Sequence, residues 1–119
     1  MKRGKVAALA IVAAAIAPIA YAQTRPQGDA QAGRTLALQA CTGCHVVASD
    51  QPFKPIYRGP IHPPDFKDIA DRPDVTMASL QHHLATLPTI PQNSHMANPA
   101  LTDAQIREVV AFMVSLRNK

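Results

Sequence analysis

Both cysteines of the 119-residue sequence lie in one short segment, Cys41-Thr42-Gly43-Cys44-His45. Two thiols at this spacing lie about one helical turn apart, so each can add to one vinyl group of a single porphyrin. The adjacent imidazole of His45 then reaches the iron from one face of the ring, and Gly43 keeps the backbone beside it uncluttered. The spacing is therefore typical of covalent haem attachment.

Three other interpretations of this segment compete with haem attachment. A thioredoxin-like redox pair needs strands around the motif, and the sequence predicts none there. A structural zinc site needs more ligands, and the sequence has no second cysteine pair. The simplest alternative is a chance segment closed by a Cys41–Cys44 disulfide. An export signal, a shortage of aromatic residues and a candidate second iron ligand together favour haem.

The second iron ligand is predicted from the methionines. Met77 opens a predicted helix and Met113 lies on the apolar stripe of the last helix, so core packing explains both. Met96 lies in an irregular loop with a proline on either side, which reduces the entropy lost in holding the thioether. Because His/Met ligation is usual in cytochromes c, Met96 is the predicted second ligand. The neighbouring His95 is the alternative.

The remaining titratable side chains have simpler expected roles. The histidines predicted to face solvent are His62, His82 and His83. The last two are adjacent on a helix and point to different faces, so at most one of them can reach the iron. The basic residues that are candidates to pair with haem propionates are Lys54, Arg58 and Arg72.

The N-terminus carries the pattern of a secretory signal peptide. Three basic residues precede the apolar run Val6 to Ala17, and Ala20-Tyr21-Ala22 resembles a cleavage site. An uncleaved anchor is the alternative, but the stretch is shorter than the roughly 20 residues that a spanning helix needs. Cleavage after residue 22 leaves nine Lys and Arg against eight Asp and Glu, a formal charge of +1. The exported chain is therefore expected in the periplasm, with no basic patch for nucleic acid.

Helical patterns follow the signal segment. Hydrophobic residues make up 47% of the sequence and aromatic residues only 4%, so a bound apolar cofactor would complete a thin core. Residues 23–28 are predicted to be a flexible leader before one domain at 29–119. The predicted helices are Ala30 to Ala40 after Asp29, Asp65 to Asp71, Met77 to Leu87 after Thr76, and Thr102 to Leu116 with a Thr102/Gln105 capping box and an apolar stripe at Ile106, Val109, Val110 and Met113. An all-α fold of three to four short helices with long loops follows.

These features together resemble a class I monohaem c-type cytochrome over about residues 29–117. The resemblance is carried by Gly33, the Cys41 to His45 motif, the Pro-Asp-Phe-x-x-Ile-Ala segment from Pro64, Met96 and the terminal helix. It implies a cytochrome c-like fold wrapped around one covalently bound haem, with His45 and Met96 as the iron ligands.

Two family contacts follow from the same resemblance. Gly33 is expected to meet Phe112 where the first and last helices cross. The carbonyl of Pro64, or alternatively of Pro60, is expected to accept the N–H of the iron-bound imidazole. The sequence departs from the family pattern where Ala97, and not proline, follows the predicted methionine ligand. It also departs in a proline-rich stretch at 50–64, for which the sequence assigns no role.

The function that the resemblance implies is one-electron transfer by a soluble carrier, without enzymatic activity. Its partners are expected to be a dehydrogenase, an oxidase or another cytochrome, and the chain is expected to be a monomer or a subunit of a larger redox complex. A cytochrome subunit of a periplasmic dehydrogenase or oxidase complex is one alternative. A five-coordinate or His-ligated haem protein with peroxidase or gas-binding activity is the alternative of another class.

Overall fold

Four helices make up the regular structure of the described residues. The structure is a computed structural model that describes residues 27–56, 62–89, 96–117 and 119. The helices are α1 (Ala30–Ala40), α2 (Phe66–Asp71), α3 (Met77–Ala85) and α4 (Asp103–Ser115). The described ranges contain no strand, which confirms the predicted all-α fold.

The N-terminal predictions fall largely outside these ranges. The predicted signal peptide at 1–22 lies outside the described residues, as does most of the predicted leader. Within the described ranges, no helix combines the length and the hydropathy that crossing a bilayer requires.

Polar side chains fix the starts of three helices, as the sequence predicted. The Asp29 carboxylate accepts two N–H groups of the first turn of α1, at 2.8 and 3.2 Å. The side chains of Thr76 and Ser79 each accept the other's backbone N–H at the start of α3. Thr102 and Gln105 form the same reciprocal pair at the start of α4. These bonds satisfy backbone donors that have no partner within the helix.

The end of α3 differs from the prediction, because the helix stops at Ala85 and not at Leu87. The Thr86 hydroxyl donates to the carbonyl of His82 at 2.8 Å, which caps the last turn. Leu87 precedes Pro88, and the proline ring disfavours helical backbone at the residue before it. The helix is therefore two residues shorter than predicted.

The last helix forms the centre of the hydrophobic core. α4 contacts the other three helices and packs most extensively against α1. The predicted apolar stripe of α4 is confirmed, since its four residues are all buried. The other buried residues of this core cluster are Ala37, Val47, Ala48, Phe66, Leu80 and Phe112.

A glycine allows α1 and α4 to cross at close range. A Cβ atom on Gly33 would lie 1.8 Å from the carbonyl oxygen of Glu108 and 2.9 Å from the backbone nitrogen of Val109. The three atoms nearest to that Cβ belong to the backbone of α4, and the contact of Gly33 with the ring of Phe112 stays a prediction. Gly28, which has a φ of 80°, also lies against the α4 backbone. Gly33 in α1 and Gly28 just before it therefore allow this part of the chain to pack directly against the backbone of α4.

We expect Gly33→Ala to lower the free energy of unfolding by about 1–3 kcal/mol, because the new methyl forces two helix backbones apart. Alanine has the higher helix propensity, by about 1 kcal/mol, so a net loss isolates the clash. Chemical denaturation of the haem-loaded protein measures the change. Gln39→Ala, at an exposed position of the same helix, is the matched control and should change stability by less than about 0.5 kcal/mol. Equal stability of the two variants would contradict the close crossing.

An arginine just beyond α4 ties that helix to the last turn of α2 and to the loop between α2 and α3. Arg117 Nε donates to the carbonyl of Ala70 at 2.7 Å, and its terminal nitrogen donates to the carbonyl of Val75. The guanidinium is thereby held in a fixed orientation next to the end of α2. Sequence reasoning did not find this contact, since it joins residues 47 positions apart.

Candidate functional site

The cysteine motif folds as one more turn at the end of α1. Cys41 is the C-terminal cap of α1, and its carbonyl accepts the N–H groups of Cys44 at 3.2 Å and His45 at 2.9 Å. The buried Thr42 hydroxyl donates to the carbonyl of Leu38 at 2.9 Å and continues the helical pattern. The turn brings both thiols and the imidazole to the wall of a single cavity.

This cavity has a volume of about 720 Å³ and is the place where the predicted site residues meet. Cys41, Cys44, His45 and Met96 all line it. The remaining wall is mostly hydrophobic. Its large apolar side chains are Phe66, Ile69, Val75, Leu80, Leu84, Leu101, Val109 and Met113. A large apolar cavity with two thiols and two metal-binding side chains on its wall fits an iron porphyrin.

His45 is held in place by a backbone carbonyl and an aromatic ring. The imidazole is buried, with 8% of the residue exposed, and its Nδ1 lies 2.8 Å from the carbonyl oxygen of Pro64. Because a carbonyl oxygen only accepts, Nδ1 carries the hydrogen of this bond. The lone pair of the neutral ring is then on Nε2. Phe66 packs against the imidazole with ring centroids 5.6 Å apart. The alternative acceptor, Pro60, lies outside the described residues.

Met96 reaches the cavity from the segment that leads into α4. Its side chain is half-buried and lines the cavity. Asn98 fixes this segment, since its backbone N–H donates to the Pro88 carbonyl at 3.2 Å and its side-chain amide donates to the Leu87 carbonyl at 2.9 Å. Sequence reasoning treated Asn98 only as a loop residue. The alternative ligand His95 lies outside the described residues.

The other candidate side chains are distributed between core and surface. Met113 is buried in the core and also borders the cavity, while Met77 packs against the core from its edge. His62 and His83 are exposed, as predicted, but both border the cavity. Lys54, one of the candidate propionate partners, is exposed on the loop after the motif. Arg58 lies outside the described residues, and Arg72 borders the cavity.

The electrostatics of the thiols differ from those of a redox dithiol. Burial, and secondarily the nearby Cys44 thiol, raises the pKa of Cys41 to about 11. A thioredoxin-type pair requires the opposite shift, because the thiolate is the nucleophile. Among the described residues, no three His, Cys, Asp or Glu side chains come together as a metal site. The raised pKa of Cys41 therefore does not favour a thioredoxin-type pair.

Several cavity residues were not identified from the sequence. Leu80 and Leu84 share a helix face at a spacing of four residues, which was the only local signal for their role. Asp74 and Ser79 supply polar groups to the wall and carried no sequence signal. The end of the proline-rich stretch also borders the cavity through Pro63 and Pro64. Part of that stretch thus has a structural role beside the site.

Comparison with known proteins gives one match. The family model described as Cytochrome c matches residues 30–117, from the first residue of α1 to two residues beyond the end of α4. No match was found among curated proteins or among solved structures. The matched span contains the whole cysteine motif and Met96. Proteins of that family bind haem c covalently, and Cys41, Cys44 and His45 fit its attachment motif.

Proposed function

We propose that this chain, which belongs to the cytochrome c family, is a one-electron carrier with His45 and Met96 as the two iron ligands. The observation that carries the proposal is that both thiols, the buried imidazole and the thioether line one largely apolar cavity. When bound, haem c supplies the exchange of a single electron between ferrous and ferric iron.

His45 contributes an oriented imidazole. The 2.8 Å hydrogen bond from Nδ1–H to the Pro64 carbonyl fixes the ring plane and leaves the Nε2 lone pair for the metal. The same bond makes the imidazole a stronger ligand for the metal, because the partially negative carbonyl favours positive charge on the ring. Packing of Phe66 against the ring limits its rotation further.

Met96 contributes a neutral sulfur ligand and closes the second position. The two hydrogen bonds of Asn98 to Pro88 and Leu87 hold the backbone beside it. Iron held by both His45 and Met96 would have no position open to substrate or dioxygen. The proposed role is therefore electron transfer without enzymatic activity.

The apolar wall of the cavity favours the ferrous state over the ferric state. Leu80, Val109 and Met113 are buried core residues that also line the cavity. Such a wall excludes water, and poor solvation disfavours the more highly charged ferric state. A thioether ligand acts in the same direction, while the Pro64 contact opposes it. We expect the ligand and the apolar wall to prevail and give a high midpoint potential.

The proposed location is the periplasm, with a dehydrogenase, an oxidase or another cytochrome as the redox partner. The support is the sequence pattern of residues 1–22, which has the charged, apolar and small-residue regions of an export signal. N-terminal sequencing of the haem-loaded protein from a periplasmic extract tests this. A chain that begins at Gln23 is the expected result, and retention of residues 1–22 would contradict cleavage.

Carbon monoxide binding tests the ligand set. The native ferrous protein should show no spectral change with carbon monoxide at neutral pH, because both axial positions are filled. A reversible redox titration should follow a one-electron curve at a high potential. Rapid binding of carbon monoxide to the native protein would contradict the carrier function and would indicate gas or peroxide chemistry.

A further inference from the structure

A second, smaller cavity lies on the outside of the molecule, between the end of α2 and Arg117, two residues beyond the end of α4. This recess has a volume of about 370 Å³ and is lined by Lys67, Ala70, Asp71, Arg72, Pro73 and Arg117. Three of these side chains are cationic and one is anionic. The recess is therefore a concave surface with an excess of positive charge.

The charge of Arg117 is not neutralised by the described part of the chain. Its guanidinium donates to the carbonyls of Ala70 and Val75, and it forms no ion pair with a carboxylate of the described residues. These two bonds fix the direction of the guanidinium, so a cation is held at the recess at little further entropic cost. Lys67 pairs with Asp71 along α2, which leaves the recess a net positive charge.

Arg72 supplies the second guanidinium, and its N–H groups are available to bind an anion. Its nearest carboxylate oxygen, on Asp74, lies 3.5 Å away, longer than the roughly 2.7–2.9 Å of a charge-assisted hydrogen bond. Both side chains of that pair are more than half exposed, at 59% and 69%, so the pair is weak. The following Pro73 holds Arg72 in extended backbone, with φ −67° and ψ 130°.

Arg72 also borders the larger cavity that contains His45 and Met96. The same side chain thus lies on the wall of both cavities. A charge bound in the recess is therefore separated by one side chain from the cavity that contains His45 and Met96, and it acts electrostatically on an iron held there. An anion there favours the more positive, ferric state, and by linkage the ferric protein binds the anion more tightly.

We propose that this recess is a binding site for a small polyvalent oxyanion, held by Arg72, Lys67 and Arg117, and that its occupancy lowers the midpoint potential of the iron. Two planar guanidinium groups and an ammonium match an oxyanion with several negative oxygens. The binding step depends only on the recess, whereas the effect on the potential rests on the proposed function.

A phosphate titration of the ¹⁵N-labelled, haem-loaded ferrous protein tests the binding step. Against sodium chloride at equal ionic strength, phosphate should shift the amide signals around Lys67–Arg72 and Arg117 in a saturable way. Arg72→Gln should weaken binding about tenfold, and Lys67→Gln roughly threefold. Asp74→Asn should strengthen it, because the competing carboxylate is lost. Arg107→Gln removes the same charge from an exposed site outside the recess and should leave the affinity unchanged.

Shifts that grow linearly, match those of chloride or persist equally in Arg72→Gln and Lys67→Gln would overturn the site.

The midpoint potential tests the coupling between anion binding and the iron. Ferric protein that binds phosphate about threefold more tightly converts, at 59 mV per tenfold, to a decrease of about 28 mV at saturation. Saturable binding without any change in potential would overturn the coupling alone. Carbon monoxide binding by the native ferrous protein would contradict the ligand set and leave the binding result standing.

Discussion

Replacing Cys41 and Cys44 together by alanine should abolish covalent haem attachment. The two thiols are the only cysteines of the sequence. The bonds that His45 and Met96 would form to the iron are reversible. The protein produced with a haem-attachment system should lose its haem completely on extraction with acidified organic solvent, whereas the native protein should retain it. The unloaded chain should also unfold at much lower denaturant concentration, because its aromatic-poor core lacks the group that fills the cavity.

Gly43→Ala is the matched control for this variant. Gly43 lies between the two thiols, and a Cβ added there meets no protein atom within 4 Å. This variant keeps both thiols and should keep its haem after extraction. Covalently retained haem in the double cysteine variant would show that attachment occurs elsewhere and would contradict the assigned motif.

The second large effect is expected from Met96→Ala, which removes the proposed sulfur ligand. Axial ligands spread haem potentials over about 0.8 V, so loss of the thioether should lower the midpoint potential by on the order of 100–200 mV. The variant should also bind carbon monoxide in the ferrous state, because one axial position becomes available. Redox titration and visible spectroscopy measure the two changes.

Met113→Leu and Met77→Leu are the controls for the sulfur assignment. Met113 borders the same cavity from α4, and Met77 packs against the core at the start of α3. Methionine and leucine have similar volumes, so each change should cost less than about 1.5 kcal/mol. Both variants should keep the native potential and exclude carbon monoxide. A native potential in Met96→Ala, with its loss in either control, would assign the sulfur ligand to another methionine.

The sequence predicted the elements whose determinants are local. Asp29, Thr76 and Thr102 each cap the helix that follows them, because a side-chain oxygen and a backbone N–H two or three residues away suffice for the bond. The buried stripe of α4 follows from helical periodicity alone. The prediction placed the end of α3 at Leu87, directly before Pro88, whereas the helix ends at Ala85 with Thr86 as its cap.

Contacts between distant segments were found in part or not at all. Gly33 was identified as a crossing glycine, but its close approach to the backbone of Glu108 was not predicted. The Arg117 contact to the α2–α3 loop and the Asn98 bonds beside Met96 had no local pattern. Each joins one polar side chain to a backbone carbonyl far along the chain, and such a pair leaves no periodicity in the sequence.

The proline-rich stretch shows the same division. Gln51 closes its first turn, since its side chain accepts the N–H of Val47 at 2.6 Å and that of Ala48 at 3.2 Å. Asp50 pairs with Arg34 at 2.9 Å, and this hydrogen-bonded guanidinium lowers the pKa of the Asp50 carboxyl. The Asp50–Arg34 pair anchors the loop after the cysteine motif to α1. Proline content alone predicted only that the segment is not helical.

The visible absorption spectrum of the ferric protein tests the central claim most directly, namely that one covalently bound haem has His45 and Met96 as its iron ligands. Methionine sulfur on ferric iron produces a weak far-red band. We predict that the haem-loaded protein shows this band at neutral pH and that Met96→Ala abolishes it. A ferric protein with covalently bound haem and no far-red band would contradict Met96 as the ligand.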